Sequence, residues 1–412
     1  TTEAMFVANR NLPLRLIVPL LFGELIAGSS TVGAAGGAYK SGLAGGWGNW
    51  GNSLGCLLFA FVFLNFFNRV GVTGVMTGPE AFEVRFNRKV RVLVLIFTLV
   101  PLFIILSTQL TAAAVLLSPM TGLNEKTLTI LVSIYLLVTA LRGIKGIAGM
   151  NVVHSLVIFF GMVVVAFFCV RQVGGLNVLI ESVPTSFFNP FSAGFMTVFA
   201  QVVGACLGFS TSVTPINTCF SAKNPKVVKQ GMIIVAIITV VFSIFPLLIG
   251  MSGALAIKEV ERPDAILFLM SDHISPVLSG VATMAEFAAI FSTAPFFLLT
   301  ISTLIIRDIY MPFVRKKDEK TLMLMTKILT VFVLGVVVFL SGRSTSILND
   351  LLSAGQIKAT AAVLLIVGIY WKRLTNAAAF WGLAVGGTLA TIWHFIGHPW
   401  GIEPLWPALV SS

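Results

Sequence analysis

The sequence predicts an all-α, polytopic membrane protein, and three observations carry that reading. Hydrophobic residues make up 57% of the 412 residues and charged residues only 10%, against about 25% charged in a soluble domain. The mean hydropathy is +0.98. Apolar runs of spanning length, about 20 residues, recur along the whole chain. A transmembrane β-barrel would show short alternating segments instead.

Eleven spans follow from the apolar runs, near residues 12–37, 48–69, 92–118, 126–141, 150–171, 195–221, 231–256, 277–306, 322–342, 346–371 and 375–396. An amphipathic loop segment, GPEAFEVRFNRKVR, separates the second and third. The stretches Phe188 to Phe195 and Pro263 to His273 interrupt the chain before the sixth and eighth. The opening TTEAMFVANRNLPLR, which has no initiator Met and no signal peptide, reads as a loop and leaves room for an earlier helix.

Charge orients these spans. With the start of the chain in the cytoplasm, the inner ends hold most of the 27 lysines and arginines, in runs such as Arg85-Arg88-Lys89-Arg91 and Arg315-Lys316-Lys317-Lys320. The outer ends hold Lys40, Lys126, Arg171, Lys258, Arg262 and Arg343, and Lys358 falls inside a span. Positive charge concentrates on cytoplasmic loops, so this orientation is expected, in a bacterial inner membrane. It also accounts for the net charge of +11 without a nucleic-acid partner, because the basic residues are spread over every inner loop.

The four cysteines (Cys56, Cys169, Cys206, Cys219) are scattered through apolar segments with no metal or disulfide spacing, and read as buried, inert thiols. His394 and His398 have i,i+4 spacing but fall at a helix end beside Pro399, which favours a membrane-interface pair over a metal site. No nucleophile–base pair, phosphate loop or metal motif stands in the aqueous segments. The chain reads as a non-enzyme.

The first span carries the chemistry. LFGELIAGSSTVGAAGGAY places Glu24, then Ser29, Ser30 and Thr31, then a glycine-rich run inside an apolar segment. Glycine costs about 1 kcal/mol relative to alanine in a helix, and hydroxyls compete for backbone partners. Such a helix can unwind where protein surrounds it, exposing carbonyl oxygens that suit a hard cation. The other reading is a packing face built on Gly33 and Gly37 at GxxxG spacing. GELIAGSSTV at 23–32 is echoed by GACLGFSTSV at 204–213, five spans later. Two five-helix halves would be oppositely oriented, and broken helices at matching positions point to a mid-membrane transport site. In the eighth span, AEFAAIFSTAPFFLLTISTLIIRDIY, the pair Ser292-Thr293 lies one turn beyond Ala289, so hydroxyls and a carbonyl can face one point.

Taken in order, FVANRNLP, GAAGGAYKSGLAG, GPEAFEVRFNRKVR, FSAKNPKVVKQG, AAIFSTAPFFLLTISTLIIRDIY and VGIYWKRLTNAAAFWGLAVGG resemble the sodium:solute symporters, the family of sodium–glucose, proline and pantothenate carriers. The resemblance spans nearly the whole chain, and the eighth span is its most specific match. It implies a leucine-transporter-type fold of five-plus-five inverted repeats in one domain over 1–412. The first repeat covers about 12–171, the second about 195–371, and an extra C-terminal helix about 375–396. It implies a sodium site at Gly23, Ile26, Ala289, Ser292 and Thr293, and a solute pocket at Ser29, Ser30, Asn49, Phe209 and Gln356. The chain departs from the family in GMNVVHSL, where Asn151 and His154 replace Asp and Gln near the start of the fifth helix, and where Asn217-Thr218 replace Gln-Arg at the end of the sixth.

Three charges fall inside spans: Glu24 between the two expected carbonyl ligands, Glu286 one turn before Ala289, and Lys358 just beyond a break expected at Gly355. An intramembrane charge is expensive and by default functional. One reading is a structural ion pair or triad. The other is a coupling site that binds Na+ or takes a proton. The expected function is Na+-coupled symport of a small polar organic solute, with carboxylates and amino acids ahead of sugars. The alternatives are H+ coupling in the same fold and, in another class, the membrane sensor module of a fused signalling protein. The expected partners are the solute and the lipid bilayer.

Overall fold

Each of the eleven expected spans is a helix or a pair of half-helices in the computed structural model, which describes residues 2–313, 318–341, 347–371, 373–397 and 402–411. Arg315, Lys316, Lys317, Arg343, Lys372, His398 and Pro399 lie outside the described residues. In chain order the helices are α1 (Thr2–Val7), α2 (Leu14–Leu25), α3 (Ala34–Ser41), α4 (Trp47–Leu58), α5 (Leu64–Val72), α6 (Gly78–Arg85), α7 (Arg88–Thr121), α8 (Glu125–Ala140), α9 (Gly143–Gln172) and α10 (Leu176–Ser182). There follow α11 (Phe195–Ser210), α12 (Val213–Ser221), α13 (Pro225–Ala256), α14 (Ile266–Ile274), α15 (Pro276–Leu304), α16 (Glu319–Leu340), α17 (Ile347–Tyr370), α18 (Asn376–Phe395) and α19 (Leu405–Ser411). Among the described residues, eight helical stretches are long and apolar enough to cross a membrane. The shorter α2 (12 residues) and α8 (16 residues) rely on their neighbours.

Local chemistry sets the helix starts. Asn87, Asn124, Asn224, Ser275 and Thr375 each accept a backbone N–H three residues on, and so cap α7, α8, α13, α15 and α18. Such caps supply a partner to an N–H that the helix itself leaves unpaired. Two segments read as loops prove to be helical. The chain start forms α1, whose Met5, Phe6 and Val7 are buried, and GPEAFEVR forms α6, with Pro79 in its first turn and Thr77 as its cap. In both, a few apolar side chains reach the core and outweigh the loop-like composition.

The packing repeats with an offset of five spans. In the first half α9 lies along α15, as in the second half α17 lies along α7. The broken first span packs through α3 on α13, and the broken sixth packs through α11 on α4. These are the pairings an inverted repeat generates. Both breaks fall inside the two echoed segments: the helix stops at Ile26 (φ −90°, ψ 87°) and again at Thr211-Ser212. The tenth span differs from expectation. Helix α17 runs unbroken through Gly355. Close packing here depends on the facing Gly208, whose Cβ would stand 2.3 Å from the Gly355 carbonyl oxygen, whereas a Cβ on Gly355 itself would meet nothing within 4 Å.

Candidate functional site

The site begins where α2 fails to continue. After Leu25 the chain turns out of helical geometry and resumes as a π-helical turn over Ser29–Gly33. The Gly23 carbonyl is taken by side chains from α15: Ser292 Oγ donates to it at 2.6 Å and Thr293 Oγ1 at 3.0 Å. The same hydroxyls reach the Ala289 carbonyl at 2.8 and 2.9 Å, and lie 3.5 Å from each other. Four oxygens thus converge, yet a hydroxyl carries a single proton. Two protons are shared among four acceptor directions, which leaves lone pairs turned inward. Such a proton-poor oxygen cluster suits a hard cation.

Gly23 permits this approach. A Cβ there would meet Asn151 Nδ2 at 2.9 Å and Ser292 Cβ at 3.0 Å. Asn151 Nδ2 in turn donates to the Ser292 carbonyl at 3.2 Å, so α9 closes the back of the cluster. Ile26, the fifth residue expected here, stands at the break with its side chain buried, and the Ser292 and Thr293 hydroxyls donate to the Gly23 and Ala289 carbonyls rather than to its own.

A cavity of about 110 Å³ adjoins the cluster through Thr293. Ser29 and Phe209 line it, as do Glu24 and Lys358, together with Asn52, Ser212, Thr214 and Phe297. Of the other expected solute residues, Ser30 donates to the Leu25 carbonyl at 3.0 Å. Asn49 holds the Ser30 carbonyl at 2.9 Å, which braces the broken helix. Gln356 faces the opposite way: its amide donates to Glu403 at 2.9 Å and accepts from the Leu405 backbone at 3.2 Å, pinning α19. Asn49 also lines a smaller cavity, of about 80 Å³, that it shares with Ser29, while Asn52, three residues on, lines the cavity beside Thr293.

The three intramembrane charges do not form an ion-paired triad. Neither Glu24 oxygen meets hydrogen-bond geometry with any described group, although the Asn151 side chain is close enough to interact with it. Glu286 accepts from Thr31 Oγ1 at 2.5 Å and opens on a separate cavity with Arg262 and Asp264. In the loop of that second cavity, burial pushes the Asp264 carboxyl above its usual range, against the opposing pull of Arg262 and Lys40.

The paired charges lie elsewhere, near the N-terminus of α7. Arg91 Nε donates to Asp308 at 2.9 Å, and the Arg91 guanidinium also pairs with Glu83 and, at 3.6 Å, with Glu80. Arg307 meets Glu80 at 3.2 Å, and Thr77 donates to Asp308 at 3.1 Å. This cluster ties α6 and α7 to the π-helical end of the eighth span at Ile305–Tyr310.

Comparison with known proteins agrees with this geometry. The model of the sodium:solute symporter family matches residues 5–386. The chain is 27% identical to the Escherichia coli sodium/pantothenate symporter, over 99% of this chain and 88% of that one. It is 24% identical to sodium/glucose cotransporter 1 of Oryctolagus cuniculus, over 94% of this chain and 66% of that protein's length. It is 23% identical to the high-affinity proline transporter PutP of Bacillus subtilis, over 94% and 85%. A Na+-coupled sialic acid symporter in a substrate-bound outward-open state superposes with a TM-score of 0.83 at 18% identity, covering 100% of this chain and 89% of that one. A nucleobase-cation-symport-1 family transporter in a closed conformation superposes at 0.66 and 17% identity, covering 99% and 91%. At those identities the structures establish the shared fold. With a family model covering nearly the whole chain, and a broken first helix facing a serine–threonine pair on the eighth span, the chain belongs to the sodium:solute symporter family.

Proposed function

We propose that this chain carries out Na+-coupled symport of a small polar organic solute across a bacterial inner membrane, by alternating access, with its N-terminal segment and basic loops in the cytoplasm. The observation that carries the reading is the convergence of the Gly23 and Ala289 carbonyls with the Ser292 and Thr293 hydroxyls where α2 ends. A sodium ion in that cluster would tie the first span to the eighth and favour the outward-open state. Solute would then bind in the adjoining cavity, and the two five-helix repeats would rock to release both inward. Carboxylates and amino acids are favoured over sugars. The cavity offers Ser29, Asn52 and one charge of each sign rather than many sugar-binding polar groups, and the names of the relatives span glucose, pantothenate, proline and sialic acid, so the preference rests on the cavity.

A second reading, proton coupling, draws on Glu24 and Glu286, carboxylates buried beside the broken helix. Uptake into proteoliposomes separates the two. Accumulation driven by an inward Na+ gradient, and lost in Ser292→Ala, is the expected result. Accumulation driven by a pH gradient without sodium, and lost in Glu24→Gln or Glu286→Gln, would replace sodium by protons as the coupling ion.

A further inference from the structure

The cavity beside the sodium cluster contains an ammonium without an anion. Lys358 is 9% exposed on α17, lines this cavity, and makes no ion pair or hydrogen bond through its side chain among the described residues. Glu24 lines the same cavity but is beyond ion-pair distance from it. Two further features face the same space. The Ser212 hydroxyl is buried and without a partner. Ser212 also sits at the N-cap of α12 without capping it, so the N-terminal amides of that half-helix are left without a side-chain acceptor where Thr214 lines the cavity.

A helix N-terminus favours negative charge, and half-helix N-termini at mid-membrane point at anionic substrate groups in transporters. A buried ammonium demands an anion for the same reason. We infer that Lys358, Ser212 and the N-terminus of α12 form a carboxylate subsite, and that the transported solute is a small monocarboxylate. This rests on the sodium-coupled reading above and names its solute class.

Charge balance links solute to ion. Glu24 and Lys358 are the charged side chains lining the cavity, so its walls are neutral overall. Sodium in the adjoining cluster adds one positive charge beside Glu24 and leaves the Lys358 charge uncompensated. A solute bearing one negative charge restores neutrality, whereas a zwitterion or a sugar does not. Sodium thereby raises the affinity for a carboxylate, and the carboxylate must raise the affinity for sodium equally.

The test is thermal stability of the purified full chain in NaCl and in choline chloride. The added probes are acetate, lactate and pyruvate as monocarboxylates, alanine and proline as zwitterions, and glucose as a neutral solute. A monocarboxylate should raise the unfolding temperature in sodium and much less in choline. Lys358→Met should weaken carboxylate binding by roughly 30-fold or more, the loss expected when one partner of a buried charge pair is removed. The same variant should bind sodium more tightly, since a competing cation has gone. Ser212→Ala should weaken the carboxylate several-fold, and Lys358→Arg, which keeps the charge, should lose less than the methionine variant. If Lys358→Met does not fold, the Ser212→Ala and Lys358→Arg pair decides. A zwitterion or glucose acting in sodium while every monocarboxylate fails overturns the inference, as does a carboxylate response that survives Lys358→Met. A wild-type protein stabilised by sodium and by none of these probes also overturns it. Absence of any sodium response contradicts the proposed function instead, so the two failures are distinguishable.

Discussion

Two groups of buried charge in this molecule are built on opposite principles. At the end of α7, Arg91, Asp308, Glu80 and Arg307 are in mutual contact, and the Asp308 side chain is wholly buried against the Arg91 guanidinium. At the broken first span, Glu24 and Lys358 face one cavity and touch no opposite charge. Pairing recovers much of the desolvation cost and fixes geometry. An unpaired buried charge leaves that cost in place, and a ligand of opposite charge relieves it. The first cluster therefore reads as a clasp between α6, α7 and the eighth span, and the second as a site.

The comparison is sharpest where one charge is removed. Arg91→Ala leaves Asp308 buried without its cation and should lower stability by about 3–5 kcal/mol, read as a lower unfolding temperature in detergent. Arg91→Met combined with Asp308→Leu should recover most of that loss. If the double variant is no better than Arg91→Ala, the cluster is not a clasp held by charge. In the central region, Gly208→Ala drives a Cβ toward the Gly355 carbonyl at 2.3 Å. It should cost about 1–3 kcal/mol by overpacking, with the solute response falling along with stability. Glu24→Gln should behave oppositely to Arg91→Ala: stability in choline chloride unchanged or higher, because an uncompensated buried carboxylate has been neutralised, and sodium stabilisation reduced. A large loss in choline would make Glu24 structural and collapse the distinction between the two regions.

A smaller effect concerns Asp264, whose carboxyl is pushed up by burial. A raised folded-state value means that ionisation opposes folding. Stability from this group is therefore full below the unfolded carboxylate range and is lost as the pH rises through the folded value. Asp264→Asn should thus give a slight gain in unfolding temperature at neutral pH that disappears in acid. Equal gains at both would assign the effect to packing. The smallest change is expected from Gln356→Ala, which loosens α19 through Glu403 and Leu405 and leaves the sodium response in place.

Much of the fold was legible because lipid imposes it. Spanning length and apolarity locate the helices, and asparagine, serine and threonine caps mark several starts. The break in the first span was legible from the Ser29–Thr31 run, since competing hydroxyls act locally, whereas the glycine-rich run beyond it is helical in α3. Gly355 misled because a glycine weakens helix propensity locally whether or not the chain breaks there, and α17 stays helical through it while packed against α7 and α11. Gln356 and Asn49 were assigned from a resemblance, and the structure places them on different faces. Gln356 lies beside the cavity-lining Gly355, and a turn of about 100° per residue sends its side chain toward α19, while Asn49 lines the smaller cavity with Ser29. The Arg91–Asp308 cluster left no local signal, because its members are separated by more than two hundred residues and meet only when the eighth span packs against α7.

The central claim is that the end of α2 and the Ser292-Thr293 pair form one sodium site. Equilibrium binding of radioactive sodium to the purified protein tests it most directly, with Ser292→Ala and Thr293→Ala beside wild type and potassium as competitor. The account predicts saturable binding that potassium does not displace, weakened about tenfold or more in each variant, the loss of a contact worth at least about 1.4 kcal/mol. Saturable binding that is unchanged in both variants would place the ion elsewhere and contradict it.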